Sequence, residues 1–430
     1  MRFDPKEGVT LDLDGLLKPE DINLSSPEIP MILGVAYTGE FISIPNAFAT
    51  RLTHNLIGTP TSELHSSMVL LGAHFPTTEL LQFTKLLVRF THLEDWAGIT
   101  GLTMKLDTTN RDIEVRYSVP QTTRASLNAE HSISIQFGVE CQAEQNPLSM
   151  VALTHYDEVA FESTAPMPLE DALRDVYDFQ NFLTLGVDAV CVPISICAVI
   201  PVVAEGGQSR QNKVKVHFAL STANHLFVRI NRRQMLFSLP DVGAEFESTI
   251  KNWFASADRL RPSHLLYFGT IQDSRGIVEN RFLSLAQALE VYHRRTFVNE
   301  QLPAQDHQKR VLEIIDTAPG QHQTWLRERL EYSNEPNLRK RLKELLDVAP
   351  ECTDRIVSDR KSFINDVVNT RNNLTHYSRP PGHLEKDAFK LYKLAEQLSE
   401  LMRVFLLREL AFEFSKISEL LDAFERFNPR

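Results

Sequence analysis

The order of apolar and polar positions divides the chain into a strand-rich front and a helical back. From about residue 30 to 160, short runs rich in Val, Ile, Phe, Tyr and Thr alternate with polar residues, as in SISIQFGVE, and turn residues separate them. This pattern predicts β-strands in a sandwich-like or barrel-like pair of sheets. After residue 242 the pattern becomes helical, and DSRGIVEN at 273–280 is the predicted boundary. We therefore expect an α+β protein with a β-rich domain at 1–275 and an all-α helical bundle at 276–430.

The front domain contains one predicted helix at 168–186, where Ala172, Val176 and Phe179 share one face. The apolar stretch at 182–203 is long enough to cross a bilayer, but Asp188 and two prolines interrupt it. It is predicted to be the end of this helix followed by buried strands, and not a membrane span.

In the back domain, every segment from 281 onward is predicted to be helical. The first helix, RFLSLAQALEVYHRRTF, places four apolar residues on one stripe: Phe282, Leu285, Leu289 and Tyr292. Shorter helices follow at QKRVLEIIDTA, HQTWLRERLEY and LRKRLKELLDV, and then one at SDRKSFINDVVNTRNNLTHY. The last apolar segment runs well past an average helix, so it is predicted to form one long helix and a shorter one.

Composition changes this picture little. The chain is 43% hydrophobic and 23% charged, which is ordinary for a globular protein. Its N-terminus has no basic start followed by an apolar run, so no secretory signal is expected. The four cysteines show neither a CxxC pair nor zinc-ligand spacing. Together these features predict a cytoplasmic protein with free thiols.

Charge is distributed unevenly between the two predicted domains. Residues 276–430 carry 24 basic and 24 acidic side chains, whereas residues 1–275 carry 21 basic and 32 acidic ones. The net charge of −11 therefore lies in the front and argues against a general nucleic-acid binder. A polyanion is expected to prefer the neutral back domain.

Common motifs for cofactor binding, metal binding and nucleophilic catalysis are missing from the sequence. It contains no GxxxxGK[ST] phosphate loop, no GxGxxG after a strand, no HExxH and no GxSxG. The histidines of the front domain have no metal-ligand spacing. No cofactor and no metal are therefore expected.

The stretch NTRNNLTHYSRPPG, 369–382, places a cation on the apolar side of a predicted helix. Ser358 is predicted to cap this helix near Asp359, and Pro380-Pro381 to end it. Arg371 lies four residues after Val367, so it falls on the buried stripe. An arginine in that place needs a charged partner or a functional pocket.

His376 follows Arg371 by five residues, which is about 140° around a regular helix. The two side chains are therefore not expected to converge within one straight helix. Either the helix is distorted there, or the second half of the site comes from another chain.

Arg-x4-His spacing alone is weak evidence, because it also occurs from Arg259 to His264, and a six-residue version runs from Arg124 to His131. In the first case Pro262 intervenes, and the flanks are not expected to continue as a helix. The second case lies in the strand-rich half. Both are interpreted as accidental, because only the 371–376 pair follows a strong helix late in an all-helical domain.

VVNTRNNLTHY resembles the Arg-x4-6-His motif of the HEPN superfamily of ribonucleases. The opening FLSLAQALEVYHRR, the long last helix and the strand-rich front resemble the ApeA family of bacterial anti-phage proteins. The HEPN resemblance covers about 280–425 and implies a dimer in which two Arg-His motifs meet and cleave RNA without a metal. It carries over to Arg371 and His376, to Asn372 as a supporting residue, and to Glu290 as the acidic residue that many HEPN domains hold in their first helix.

The chemistry of these residue types agrees with RNA cleavage. Attack by the 2′-hydroxyl, which only RNA has, needs a proton acceptor or donor near neutrality, and histidine is that side chain. The charged transition state needs a fixed cationic donor, which arginine supplies. Asn372 could hold the imidazole or a phosphate oxygen.

Structural interpretations of the same residues stay open. Arg371 could pair with an acidic residue of a neighbouring helix, and His376 could be a polar residue near the helix end. Glu290 could form a structural salt bridge. The basic run from Arg339 to Lys343 is more typical of a solvated helix face than of an RNA-binding patch.

The resemblance implies a metal-independent endoribonuclease that acts in abortive infection as a homodimer through its HEPN domain. tRNA is one target that it suggests, and the acidic front domain would sense a phage-derived trigger or restrain the nuclease. One alternative is a non-catalytic HEPN module that binds a nucleotide or a protein, with a ligand-recognising β domain. Another is a carbohydrate-active β-sandwich with a helical appendage, for which the sequence identifies no convergent carboxylate pair.

Overall fold

The computed structural model forms two compact units, Met1–Lys251 and Asn252–Arg430. The structure describes the following residues: 1–15, 17, 29–53, 59–143, 150–203, 209–219, 230–273, 276–376 and 388–427. The first unit is rich in antiparallel strands and the second is all-helical, so the predicted α+β fold class is confirmed.

Strands make up most of the described part of the first unit. They are β1 (Arg2–Asp4), β2 (Gly8–Asp14), β3 (Ile29–Val35), β4 (Phe41–Thr53), β5 (Thr61–Ser66), β6 (Met68–Leu71), β7 (Gln82–Phe90), β8 (Leu102–Asp107), β9 (Asp112–Tyr117), β10 (Thr123–Ser126), β11 (His131–Ala143), β12 (Val151–Pro168), β13 (Pro193–Val203) and β14 (Ser209–Phe218). Within the described residues, twelve of them join in one sheet in the order β1-β2-β5-β4-β6-β14-β13-β7-β12-β11-β10, with β3 on β4. The remaining two, β8 and β9, form a separate ribbon.

The long strand β4 connects the β1-β2-β5 part of this sheet with the part that begins at β6. Its first half, Phe41–Ala47, pairs with β3 and β6, whereas its second half, Phe48–Thr53, pairs with β5. Asn46 separates the halves in the left-handed region, with φ of 51°. The sequence pattern predicted a pair of sheets. In the structure, β4 joins these strands into one continuous sheet.

Helix α2 (Leu169–Val187) supplies the core of the first unit and packs on β7 and β12. From Asp178 to Val187 every residue is buried, so the helix is enclosed on all sides over its second half. Phe179 contacts Phe90 and Phe161 with ring centroids 5.4 and 5.9 Å apart. The apolar stretch at 182–203 is the end of α2 followed by β13, as predicted. Of the helices that the structure describes, none is long and apolar enough to cross a membrane.

The remaining helices are α1 (Leu93–Ala97), α3 (Leu239–Val242), α4 (Phe246–Gln272), α5 (Val278–Thr296), α6 (Ala304–Thr317), α7 (Gly320–Leu330), α8 (Leu338–Val348), α9 (Pro350–Ile356), α10 (Arg360–His376), α11 (Ala388–Glu409) and α12 (Phe414–Phe427). The predicted stripe of α5 is buried, and the last segment is one long helix and a shorter one, as expected. Helix α5 packs mainly on α11. There Tyr292 stacks on Phe405 at 5.1 Å and donates a hydrogen bond to Glu409 at 2.8 Å.

Helix α4 corrects one expectation, because it continues through Pro262 where the sequence predicted a break. Proline removes one backbone donor and disfavours a helix interior, but packing of the surrounding turns holds this helix together. His264 is 2% exposed and stacks on Trp253 at 4.8 Å. Arg259 forms an ion pair with Glu409 at 2.7 Å. This second Arg-x4-His pair therefore has structural partners.

Burial of His264 predicts a loss of stability in acid. Burial lowers its pKa to about 3, and the charges of Arg261 and Arg259 add to that effect. Since the unfolded side chain titrates near 6.5, this stabilisation is complete above about pH 6.5 and is lost as the pH falls towards 3. His264→Phe keeps the stacked ring and removes the proton site. Between pH 6.5 and 4.5 we expect the melting temperature of both proteins to fall. The fall should be smaller for His264→Phe than for the wild type, with a difference of roughly 5 °C.

Thermal unfolding at several pH values checks this expectation. The exposed His322, changed to Phe in α7, is the control and should leave the wild-type pH profile unaltered. Parallel profiles for His264→Phe and the wild type would contradict the assignment.

Candidate active site

Helix α10 carries the predicted motif and begins at Arg360. The backbone N–H of Ser362 donates to Asp359 Oδ1 at 3.0 Å, so Asp359 caps the helix. The prediction of Ser358 as the cap was one residue early, because both side chains are good caps and only the helix start decides between them. Pro380-Pro381, predicted to end the helix, lie outside the described residues.

The buried stripe of α10 packs against α5 and α8 and fixes the rotation of the helix. Its members are all buried: Phe363, Ile364, Val367 and Leu374. Arg371 is half-buried, so it lies at the edge of this stripe and not within it. The side chain thus has its aliphatic part against the protein and its guanidinium near solvent.

Arg371 has no carboxylate partner within the described part of the chain. The one hydrogen bond of its side chain there runs from Nη1 to Asn372 Oδ1 at 3.4 Å, which is long for an N–H···O bond. The structural interpretation, in which a neighbouring helix supplies an acidic residue, therefore finds no support among these residues.

Asn372 and His376 are both exposed on the same helix. Helix α10 stays α-helical from Arg360 to His376, so the helix is not distorted between Arg371 and His376. At 1.5 Å and 100° per residue, the two side chains leave the helix about 7.5 Å apart along the axis and about 140° apart around it. One copy of α10 does not bring them together.

Glu290 lies on α5, and the structure gives it a local cationic neighbour. Its Oε1 is 4.0 Å from Arg294 Nη2, and its charge also stabilises the protonated form of Arg341 on α8. No hydrogen bond or ion pair joins Glu290 to Arg371 or His376 within the described residues. The geometry favours a structural part for Glu290, and its predicted support of the site stays a prediction.

A buried polar network beside Glu290 connects α5 with α8. Arg341 is 1% exposed, and its Nη1 donates to His293 Nδ1 at 3.0 Å. Because an arginine can only donate, His293 carries its proton on Nε2, which donates to Glu344 at 2.6 Å. Burial lowers the pKa of His293; the hydrogen bond to Glu344 opposes this shift and the charge of Arg341 adds to it.

This network was missed in the sequence, although a signal for it exists. Arg341 occupies the same stripe as Leu342, Leu345 and Leu346, all of them buried. The run RKRLK as a whole suggests a solvated face, which hides that its middle arginine points into the bundle. A basic residue at a core position of an amphipathic helix was the available signal.

Comparison with known families identifies the chain. The model described as ApeA N-terminal domain 1 matches residues 1–253, which is more than half of the chain, and the model described as Apea-like HEPN matches residues 283–416. The chain belongs to the ApeA family. No curated protein and no solved structure matches it. Like other ApeA proteins it is thus a HEPN-containing protein of anti-phage defence, and HEPN domains are commonly nucleases.

The HEPN match contains the candidate site of this ApeA-like protein. Arg371, His376 and Glu290 all lie within the HEPN match. The two matches leave 254–282 between them, an interval that contains most of α4 and the predicted domain boundary after residue 275.

The contrast between Arg341 and Arg371 predicts effects of very different size on stability. Arg341→Ala should lower the free energy of unfolding by roughly 3 kcal/mol, because it leaves buried polar partners without their donor. Arg371→Ala should change it by less than about 0.5 kcal/mol, since the side chain is only half-buried and lacks a described ionic partner. Chemical denaturation measures both. Equal losses in the two variants would mean that Arg371 is also a structural residue.

Proposed function

We propose that this ApeA-like protein is an endoribonuclease that cuts RNA through attack of the 2′-hydroxyl and needs no metal. Arg371 and His376 of two copies together form the site. The observation that carries the proposal is the half-buried Arg371, with no described carboxylate partner, on a helix whose exposed Asn372 and His376 complete the motif. A guanidinium without a carboxylate partner among the described residues is suited to binding a phosphate.

Each side chain has a distinct part in the reaction. Arg371 binds the scissile phosphate and stabilises the charge that develops in the transition state. His376 transfers a proton to or from the reacting oxygens. Asn372 lies next to Arg371 and can orient the guanidinium or hold a phosphate oxygen. Two copies are required because α10 directs Arg371 and His376 about 140° apart.

Cleavage of purified RNA tests the proposal. Wild-type protein incubated with total RNA, including tRNA, in EDTA should leave fragments with 2′,3′-cyclic phosphate ends. Arg371→Ala or His376→Ala should slow cleavage by about 10²- to 10⁴-fold. Matched controls are Arg327→Ala and His322→Ala, exposed residues of α7 that should retain full activity.

Two results would contradict this function. Full cleavage by both Arg371→Ala and His376→Ala would show that the cut is made elsewhere. Tight RNA or nucleotide binding with no cleavage, in the presence and absence of divalent metal, would support a non-catalytic HEPN binding module.

The proposal also assigns the acidic front of the chain to sensing a phage-derived trigger and restraining the nuclease. A deletion that tests this should keep α4, because its second half belongs to the helical unit. Ser263 on α4 donates to the carbonyl of Ala288 at 2.8 Å, and Arg259 pairs with Glu409. Removing residues 1–245 preserves these contacts, whereas removing 1–275 destroys them.

We expect the 246–430 fragment to cleave RNA faster than the full chain when no phage component is present. Its helical content and melting profile would be recorded alongside, since a fragment that does not fold says nothing about restraint. A folded fragment with the same rate as the full chain would exclude the restraint.

A further inference from the structure

A pocket of about 330 Å³ lies between α8 and the first half of α10. Leu346 and Ile364 form its apolar floor, and both are more than nine-tenths buried. Four basic residues and one acidic residue surround the floor: Arg339, Lys343 and Asp347 from α8, and Arg360 and Lys361 from α10. The basic run of α8 is therefore not only a solvated face, because part of it joins basic residues of a second helix around one cavity.

Within the described residues, three of these four cations have no carboxylate partner. Arg360 is neutralised by Asp347 and Asp354, with nitrogen–oxygen distances of 2.8 and 2.6 Å. By contrast, Arg339 donates to the neutral side-chain oxygen of Asn365. Lys343 and Lys361 have no ionic partner among the described residues. Arg339, Lys343 and Lys361 thus have no carboxylate partner among the described residues, and together with Arg360 and its two carboxylates they give a net charge of +2 at the edge of an apolar cavity.

That combination selects a ligand with a flat apolar body and an anionic group. A nucleotide has both, since its base can lie on an aliphatic floor while its phosphate contacts ammonium and guanidinium groups. A small inorganic anion would gain nothing from the floor of Leu346 and Ile364. A wholly apolar ligand would leave the lysines unused.

The pocket is aligned with the candidate active site on the same helix. Ile364 and Arg371 are seven residues apart, which is two turns of α10, about 10 Å along the axis and within about 20° of the same direction. Arg360 lies on this row as well, eleven residues before Arg371. A single strand of RNA that places a phosphate at Arg371 and follows α10 towards its N-terminus would reach the pocket within a few nucleotides.

We propose that this α8–α10 pocket binds one nucleotide of the RNA substrate on one side of the cleavage point. The inference rests on the proposed ribonuclease function, since it takes Arg371 as the place of the scissile phosphate. It adds a binding determinant away from the reacting atoms, which would set how long an RNA must be and where along it the cut falls.

Binding to a full-length, cleavage-impaired protein tests the pocket separately from the reaction. In a His376→Ala background, Lys343→Ala and Lys361→Ala are combined, and binding of a labelled single-stranded RNA is measured against salt. We expect affinity to fall on the order of tenfold and the slope of log K against log salt to flatten by about 1.4, as for two lost phosphate contacts. Lys309→Ala, an exposed lysine of α6, is the control and should change neither.

A second arm distinguishes RNA from a free nucleotide. Titration with adenosine 5′-monophosphate should show much weaker binding than the RNA strand. If the monophosphate binds tightly, and the double lysine variant loses that binding but keeps its RNA affinity, the assignment to RNA is overturned. Unchanged RNA affinity and salt slope in the double variant would also overturn it.

These experiments distinguish failure of the pocket proposal from failure of the nuclease proposal. Loss of RNA binding in the double lysine variant supports the pocket even if the wild type never cuts RNA, in which case only the nuclease proposal fails. Conversely, a wild type that cuts RNA while the double lysine variant binds it normally retains the function and refutes the pocket. Melting profiles verify folding, which the exposed positions of both lysines favour.

Discussion

Helix α10 is regular, and its geometry decides how Arg371 and His376 can be placed around a substrate. Helix α10 is continuous from Arg360 to His376, so the step from Arg371 to His376 cannot close a pocket around a single phosphodiester. The missing half must come from outside the helix. We propose that a second copy of the chain supplies it with the same side chains, because a two-fold contact repeats each residue across the axis. The proposed dimer would complete the site that one copy of α10 leaves open.

The position of α10 depends in turn on a polar network that lies away from the motif. Arg341 on α8 and His293 on α5 are both buried and hydrogen-bonded to each other, and α10 packs on both of these helices. A buried charge is costly unless its partners are well placed, so such a network favours one relative arrangement of α5 and α8 over others. That arrangement positions Arg371 and the α8–α10 pocket.

Much of this architecture could be predicted from apolar spacing, and the failures have physical causes. The stripe of α5, the helix-to-strand change near residue 188 and the two last helices follow from periodicity alone. Pro262 was expected to end a helix, but tertiary packing outweighs the local cost. The burial of Arg341 was missed because a charge run averages one inward residue with its outward neighbours. The convergence of Lys343 and Lys361 is not visible in the sequence, since it depends on how α8 crosses α10.

The activity of mixed dimers tests most directly whether two copies of the chain form one site. Wild-type protein is allowed to exchange subunits with increasing amounts of His376→Ala, and RNA cleavage is expressed per wild-type chain. If both copies complete each site, that value should fall in proportion to the wild-type fraction, because a wild-type chain paired with a variant lacks half of its catalytic groups. A value that stays constant while exchange is verified would show that each chain cleaves RNA alone, and would contradict this account.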